Sequence, residues 1–172
     1  MEYSIPNLTL GEFGYEGNIP LSSWSERAVT LEIGGDMVED NPKVTLEHVN
    51  GYNFTIEKQE YIKEIIMEAI FKEYLILRES YGFDVEEANE IMPEINTTYD
   101  LEQFIELSGV HILNVNYVEI AYIGYEFRCS WDEEHGLGVL THKDRIVEVG
   151  GADTSVLTWK AEVDFEALGI VH

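Results

Sequence analysis

One long stretch of helical periodicity, residues 57–80, limits the possible folds more than any other feature of the sequence. Apolar residues recur there at spacings of three and four, while charged residues fill the other faces. The apolar set comprises Ile62, Ile65, Ile66, Ala69, Ile70, Tyr74 and Leu77. A helix with a single apolar stripe has to bury it against another element, and Gly82 is expected to end this helix.

The first 56 residues have the composition of short strands joined by turns. Glycines and prolines separate β-prone runs such as 28–33 and 43–46. Turn residues at this density around short alternating runs predict antiparallel strands. The segment 57–107 is expected to be helical, with Asp100 capping a short second helix over 101–107.

After the helical segment the apolar residues alternate instead. Every second residue from Ala121 to Trp131 is apolar, and this period predicts a strand with one face toward solvent. Turn residues at 132–136 and 142–144 then divide the chain. Residues 117–149 are therefore predicted to form a three-stranded β-meander.

Burial determines the predicted pairing of these strands. Trp131 is expected to pair with Leu137 across the first turn. For the second turn, a three-residue loop puts Val147 opposite Val139, whereas a two-residue loop would put Glu148 there. We therefore expect the three-residue loop, because a slip of one residue turns every side chain to the other face.

Helix and strands together predict an α+β fold, in which a mostly antiparallel sheet covers the apolar stripe of the long helix. The length of 172 residues suits one domain. We expect a single domain over 1–172, with a β-rich part over 1–56, a helical part over 57–107 and a β-meander with a C-terminal segment over 110–172. The sequence leaves the path of the chain after Gly151 open.

The charge is strongly one-sided, with 34 acidic and 10 basic side chains and a formal charge of −24 at pH 7. Binding to nucleic acid or to an anionic membrane is not expected, because both rely on lysine and arginine. No apolar run is long enough for a spanning helix, and residues 1–6 lack the basic start of a secretory leader, so we expect a cytoplasmic protein. The single cysteine, Cys129, excludes an internal disulfide and is predicted to lie in the core.

The acidic residues concentrate after the long helix. Between Arg78 and Arg128 the sequence contains no lysine or arginine. Such a surface favours solubility, and it also attracts basic partners and speeds their association. A basic protein is the expected partner, and the candidate contact residues are Glu86, Glu87, Glu90 and Glu94.

The densest polar cluster occupies residues 129–138 and reads Cys-Ser-Trp-Asp-Glu-Glu-His-Gly-Leu-Gly. Val-Gly-Gly-Ala-Asp follows at 149–153. These two motifs resemble the signature of a widespread group of small bacterial proteins that is known only as a domain of unknown function. The resemblance covers about residues 100–159. It implies a bacterial cytoplasmic protein without an assigned activity.

The same cluster offers oxygen and nitrogen donors that suit Zn²⁺ or Mn²⁺. The candidate metal ligands are Asp132, Glu134, His135 and His142. Three of them fall within four consecutive positions, where one ion is rarely reached by all, and the sequence has no helical histidine pair. Turn chemistry explains these residues without a metal, because Asp132 can accept backbone N–H groups and Gly136 can adopt a positive φ.

We therefore expect a non-enzymatic acidic interaction module without a cofactor, because no catalytic set is apparent. An immunity-like protein is one form of this function, by analogy with other acidic proteins of this size. The alternatives are a metal-binding module or metal-dependent hydrolase at 132–142, and a DNA mimic whose carboxylates stand in for phosphates. The sequence does not determine the oligomeric state.

Overall fold

The structure is a computed structural model that describes residues 3–36, 40–82 and 84–170. Within these ranges it contains seven strands and five α-helices. The strands are β1 Thr9–Gly11, β2 Gly14–Ile19, β3 Val29–Gly34, β4 Ile105–Tyr117, β5 Ile120–Cys129, β6 Leu137–His142 and β7 Arg145–Gly150. The helices are α1 Leu46–Glu57, α2 Gln59–Ser80, α3 Val85–Ile91, α4 Thr98–Leu101 and α5 Thr158–Ile170. Short 3₁₀ helices occupy Glu102–Phe104 and Ala152–Ser155.

The strands of the described ranges form one sheet whose spatial order follows the chain from β1 to β7. Neighbouring strands are antiparallel except for β3 and β4, which run parallel. A parallel pair needs a crossover connection, and α1 to α4 lie within it. The predicted α+β class with a mostly antiparallel sheet is confirmed.

One face of the sheet is covered by α1 and α2, which contact β5 and β7. The stripe of α2 faces the sheet, since Ile62, Ile66, Ile70 and Tyr74 are each at most 2% exposed. Burying one such side chain contributes about 1.5–3 kcal/mol, so this stripe is a main source of stability. The long helix is confirmed, with a start two residues later than predicted and Gly82 just beyond its end.

The prediction of one long helix is incomplete, because α1 precedes α2 with only Lys58 between them. Residues 43–46 were predicted to be a strand and instead lead into α1. The Thr45 side chain accepts the N–H of His48, and the His48 ring accepts the N–H of Thr45. Histidine replaces the glutamate or glutamine of the usual capping box, which conceals this helix start in the sequence.

The short helix predicted over 101–107 instead forms over Thr98–Leu101, as α4. Thr97 caps α4, and the Asp100 carboxylate accepts the N–H of Thr97 in return. A 3₁₀ turn then leads into β4, which begins at Ile105. The prediction that Asp100 is the cap is therefore wrong by three residues, because Asp100 serves as the returning partner in the box.

The predicted meander is present as β5, β6 and β7, although it is part of a larger sheet. Its first register is wrong, since Phe127 rather than Trp131 pairs with Leu137. The connecting turn over 130–136 is longer than predicted because it forms hydrogen bonds within itself.

The second turn contains two residues, 143–144, and not the predicted three. A bulge in β7 beside Leu140 supplies the additional residue. Val149 consequently lies opposite Val139, and Glu148 lies opposite Leu140. Burial does require an apolar residue opposite Val139, but the chain satisfies it with a bulge rather than with a longer loop.

The other face of the sheet is covered by Ala152–Ser155 and by α5. A second, fully buried apolar cluster forms under α5 from Leu113, Tyr122, Leu140 and Ala161. The predicted solvent-facing side therefore exists only toward the end of β5, where Arg128 is exposed.

Glycines on three adjacent strands allow Ala152–Ser155 to approach the sheet. A Cβ on Gly124 would lie 1.7 Å from the carbonyl oxygen of Ser155, and a Cβ on Gly138 would lie 2.4 Å from that of Gly151. A Cβ on Gly150 of β7 would lie 2.5 Å from Oγ1 of the Thr154 side chain. Side chains do not tolerate such distances, so backbone packs directly on backbone at Gly124 and Gly138.

We predict that Gly124→Ala destabilises the protein by about 3 kcal/mol, the upper end of the usual cost of overpacking, because the clash is with backbone that cannot rotate away. Chemical denaturation measures the free energy of unfolding. Gly169→Ala is the matched control, since a Cβ there meets nothing within 4 Å and alanine favours the helix. Equal stability of the two variants would contradict the direct packing on Gly124.

Candidate functional site

The hairpin tip that carries the predicted site residues is a self-bonded turn. Asp132 Oδ1 accepts the backbone N–H of His135 at 3.0 Å and also lies 3.0 Å from its Nδ1. The N–H of Gly136 donates to the Asp132 carbonyl, with Gly136 at a φ of 64°. The hydrogen bonds from His135 lower the pKa of Asp132, and the Asp132 carboxylate raises the pKa of the exposed His135 ring.

The tip also holds the segment that contains the second motif. The carbonyl of His135 accepts the N–H of Ala152 at 2.9 Å. A Cβ on Gly136 would come within 3.1 Å of the Ala152 Cβ, so the tip and the 3₁₀ helix are in close contact. The two motifs therefore contact each other within the fold, and their glycines allow this close packing.

The structure does not bring the four candidate metal ligands together. Asp132 and His135 are hydrogen-bonded to each other. His142 lies at the far end of β6, about 17 Å from its first residue Leu137 at about 3.4 Å per strand residue. His142 is buried and donates from Nε2 to the Tyr117 carbonyl at 2.9 Å. Across the described ranges there is no group of three or more histidine, cysteine, aspartate or glutamate residues that could hold a metal ion.

Cys129 occupies the core position predicted for it and is 3% exposed. Burial raises the pKa of its thiol. A thiol in this state is a poor nucleophile, since reactivity depends on the thiolate.

The four candidate partner-binding glutamates lie on the outer side of α3 and just after it, and all are exposed: Glu86, Glu87, Glu90 and Glu94. The inner side of α3 is fixed by the buried residues Ala88 and Met92. Arg78 of α2 donates to the Met92 carbonyl at 2.7 Å and holds the two helices together.

A polar cavity of about 510 Å³ lies at the start of α1 and was missed by the sequence analysis. Its lining includes Lys43, His48 and Asn114. A bulge in β4 carries Asn114 to within 2.9 Å of the buried His48 ring. Because His48 Nδ1 accepts the N–H of Thr45, its Nε2 carries the proton and donates to Asn114 Oδ1. This arrangement caps α1, and the signal in the sequence that could have indicated it is the three-residue spacing of Thr45 and His48.

The C-terminal helix α5 is tied to the sheet by a polar cluster. Asp164 accepts two hydrogen bonds from the Arg145 guanidinium, at 2.9 and 2.6 Å, and one from the Tyr122 hydroxyl at 2.7 Å. The Arg145 guanidinium holds the pKa of Asp164 below its usual range. Burial, together with the hydrogen bond from its hydroxyl to Asp164, raises the pKa of Tyr122.

A comparison with protein families matches most of the chain. A profile described as Domain of unknown function (DUF6985) matches residues 5–157. The chain belongs to this family. Searches among curated proteins and among solved structures return no match. None of the helices in the described ranges has the length and apolar composition needed to cross a bilayer.

The DUF6985 match spans the whole sheet and both motif segments. Membership in an uncharacterised family agrees with the resemblance drawn from 129–138 and 149–153. The matched range also includes the N-terminal strands β1 to β3, which that resemblance did not cover. α5 begins at Thr158, directly after the matched range.

The titration of His135 reports whether its ring is paired with the Asp132 carboxylate. By NMR, we expect its pKa to lie above the ordinary value and to fall toward that value in Asp132→Asn, because the carboxylate stabilises the imidazolium. His142 should titrate separately with a lowered pKa, because burial disfavours its charged form. Equimolar Zn²⁺ should leave both curves in place. Loss of the His135 titration on adding Zn²⁺ would instead favour a metal site at the tip.

We predict that Asp164→Asn lowers the free energy of unfolding by about 1–3 kcal/mol at pH 7, because it weakens the hydrogen bonds that Tyr122 and Arg145 donate to this side chain. The folded pKa of Asp164 is depressed, so its contribution is present above the unfolded value of about 3.9 and is lost as pH falls through the folded pKa. The variant should therefore show a shallower loss of stability below about pH 4 in urea titrations. Asp144→Asn, at an exposed turn residue, is the control.

Proposed function

We propose that this DUF6985 protein is a non-enzymatic interaction module whose acidic α3 surface binds a basic protein. The observation that carries the proposal is the fixed presentation of exposed carboxylates on a stretch without lysine or arginine. A preorganised charged surface raises the association rate of an oppositely charged partner and selects against partners of like charge.

The charges of this surface are available to a partner. Within the described part of the chain, Glu86, Glu87, Glu90 and Glu94 have no ion-pair partner. The nearest base along the chain, Arg78, points its donors at the Met92 carbonyl and at Asn89 Oδ1. The negative potential of α3 is therefore not offset by local pairing.

Apolar side chains accompany these acids. Tyr81, directly after α2, is 49% exposed. Ile91, the last residue of α3, is 42% exposed. A surface that served solubility alone would need only the charges, whereas interfaces combine a charged rim with apolar and aromatic contacts. This mixture favours a protein partner over solubility as the reason for the charge.

The other candidate functions stay predictions, and each of them makes a different experimental outcome expected. A DNA mimic would use the α3 carboxylates against a DNA-binding protein, so duplex DNA would compete for that partner. An immunity-like protein would use them against a toxin. A metal-dependent activity would instead require the four candidate ligands Asp132, Glu134, His135 and His142.

The test compares two variants that change the charge by the same amount. One replaces Glu86, Glu87, Glu90 and Glu94 by glutamine, and the control replaces Glu57, Glu60, Glu64 and Glu68, which are exposed on α1 and α2. Binding to basic proteins encoded by the neighbouring genes is measured by calorimetry at several salt concentrations. We expect the α3 variant to weaken binding at least about tenfold at low salt and the control by less than about threefold, because charge acts locally at an interface.

Three results would oppose this function. The first is equal weakening by both variants, the second is binding that does not depend on salt, and the third is no binding to any basic neighbour-encoded protein. For a neighbour-encoded toxin, co-expression should restore growth with the wild-type protein and not with the α3 variant. Competition by duplex DNA would identify the partner as a DNA-binding protein.

A further inference from the structure

The outer face of α5 exposes large apolar side chains. Trp159 is 53% exposed and Val163 is 58% exposed, and they lie one helical turn apart. Phe165 is 42% exposed but lies on another side of the helix, where its ring contacts Tyr117. Residues four apart share a face, so the tryptophan and the valine form a continuous stripe. Contiguous exposed apolar surface marks interaction sites, and tryptophan is enriched near the centre of interfaces.

This stripe is held in place from the inner side of the helix. Ala161 and Thr158 are buried against the sheet, and Asp164 is clamped by Arg145 and Tyr122. The backbone N–H at the start of the helix, on Thr158, donates to the Asp36 carboxylate at 3.0 Å. A helix fixed in this way presents its outer side chains with little conformational entropy left to lose on binding.

The tryptophan ring itself is oriented by a neighbouring charge. The Lys160 ammonium lies 5.0 Å from the centre of the Trp159 ring and is also paired with Glu148 on β7. An ion-paired lysine over one ring face restrains the indole and leaves less basic charge to offset nearby acids. Trp159 is therefore a preorganised anchor rather than a mobile surface residue.

The charges next to the stripe define what can cover it. Glu162 and Glu166 are exposed on the same helix, one turn apart, and follow Trp159 at spacings of three and seven. A second copy of this chain would bring the same carboxylates together, which is unfavourable at a desolvated contact. A partner with lysine or arginine beside an apolar stripe complements both the charge and the apolar surface.

We propose that the outer face of α5, formed by Trp159, Glu162, Val163 and Glu166, binds a basic amphipathic helix of a partner protein. This surface is separate from α3 and lies outside the range matched by the family. It depends on apolar burial as well as on charge, so the two surfaces respond to different substitutions.

The test uses a fluorescently labelled synthetic helical peptide with leucines at helical spacing and lysines on both flanks. Two control peptides are a scrambled sequence of the same composition and a version with glutamate in place of lysine. Fluorescence anisotropy with the full chain measures affinity. We expect binding of the striped basic peptide, at least about tenfold weaker binding of the scrambled one, and no binding of the acidic one.

The variants locate the contact on the protein. Trp159→Ala should weaken binding at least about tenfold, because aromatic anchors dominate interfaces. Tyr99→Ala is its control, since Tyr99 is 80% exposed on α4. Glu162→Gln with Glu166→Gln should weaken binding about threefold and reduce its salt dependence, whereas Glu133→Gln with Glu134→Gln at the hairpin tip should not. Circular dichroism confirms that each variant is folded.

The outcomes separate this surface from the proposed function. Weakening by the α3 glutamine variant and not by Trp159→Ala would place the peptide on α3 and overturn the α5 proposal. Equal binding of striped and scrambled peptides would also overturn it, because charge alone would then explain binding. A dimer in analytical ultracentrifugation that Trp159→Ala dissociates would show that a second copy covers the face, which is a third contradicting result.

Discussion

Direct packing of backbone on backbone is the contact on which one whole side of this protein depends. Gly124, Gly138 and Gly150 leave no side chain where Ala152–Ser155 crosses the sheet, and the crossing turns the chain into α5. Any Cβ at Gly124 would overlap the Ser155 carbonyl. Without this approach, α5 could not cover Tyr122 and the sheet would have only one covered face.

This contact also gives a physical meaning to the two motifs in the sequence. The tip after β5 and the segment after β7 are distant in the chain but share the hydrogen bond between the His135 carbonyl and the Ala152 N–H. Glycine, aspartate and histidine occur there because a tight turn has to bond to itself and then support a crossing backbone. The densest polar cluster of the chain is thus explained by architecture, and functional interest moves to the exposed faces of α3 and α5.

The large negative charge is compatible with this fold because the acids lie outside the two cores. The few basic residues that are partly buried, such as Lys63, Arg145 and Lys160, act as internal connectors to Glu102, Asp164 and Glu148. Using bases in this way leaves the outer helices with uncompensated carboxylates. The exposed carboxylates on α3 and on α5 both follow from that distribution, and on each helix exposed apolar side chains lie on the same element or next to it.

Local patterns in the sequence determined α2, the strands β5 to β7 and the burial of Cys129, because each depends on a repeated apolar spacing within one element. They did not determine α1, whose start depends on a histidine in the place of glutamate, or the strand registers, which a bulge and a self-bonded turn adjust. The four candidate metal ligands were close in the sequence, and the direction of β6 separated His142 from the other three. Only the tertiary structure decided that the second face of the sheet is buried, because α5 reaches it through glycines whose role depends on which strands become neighbours.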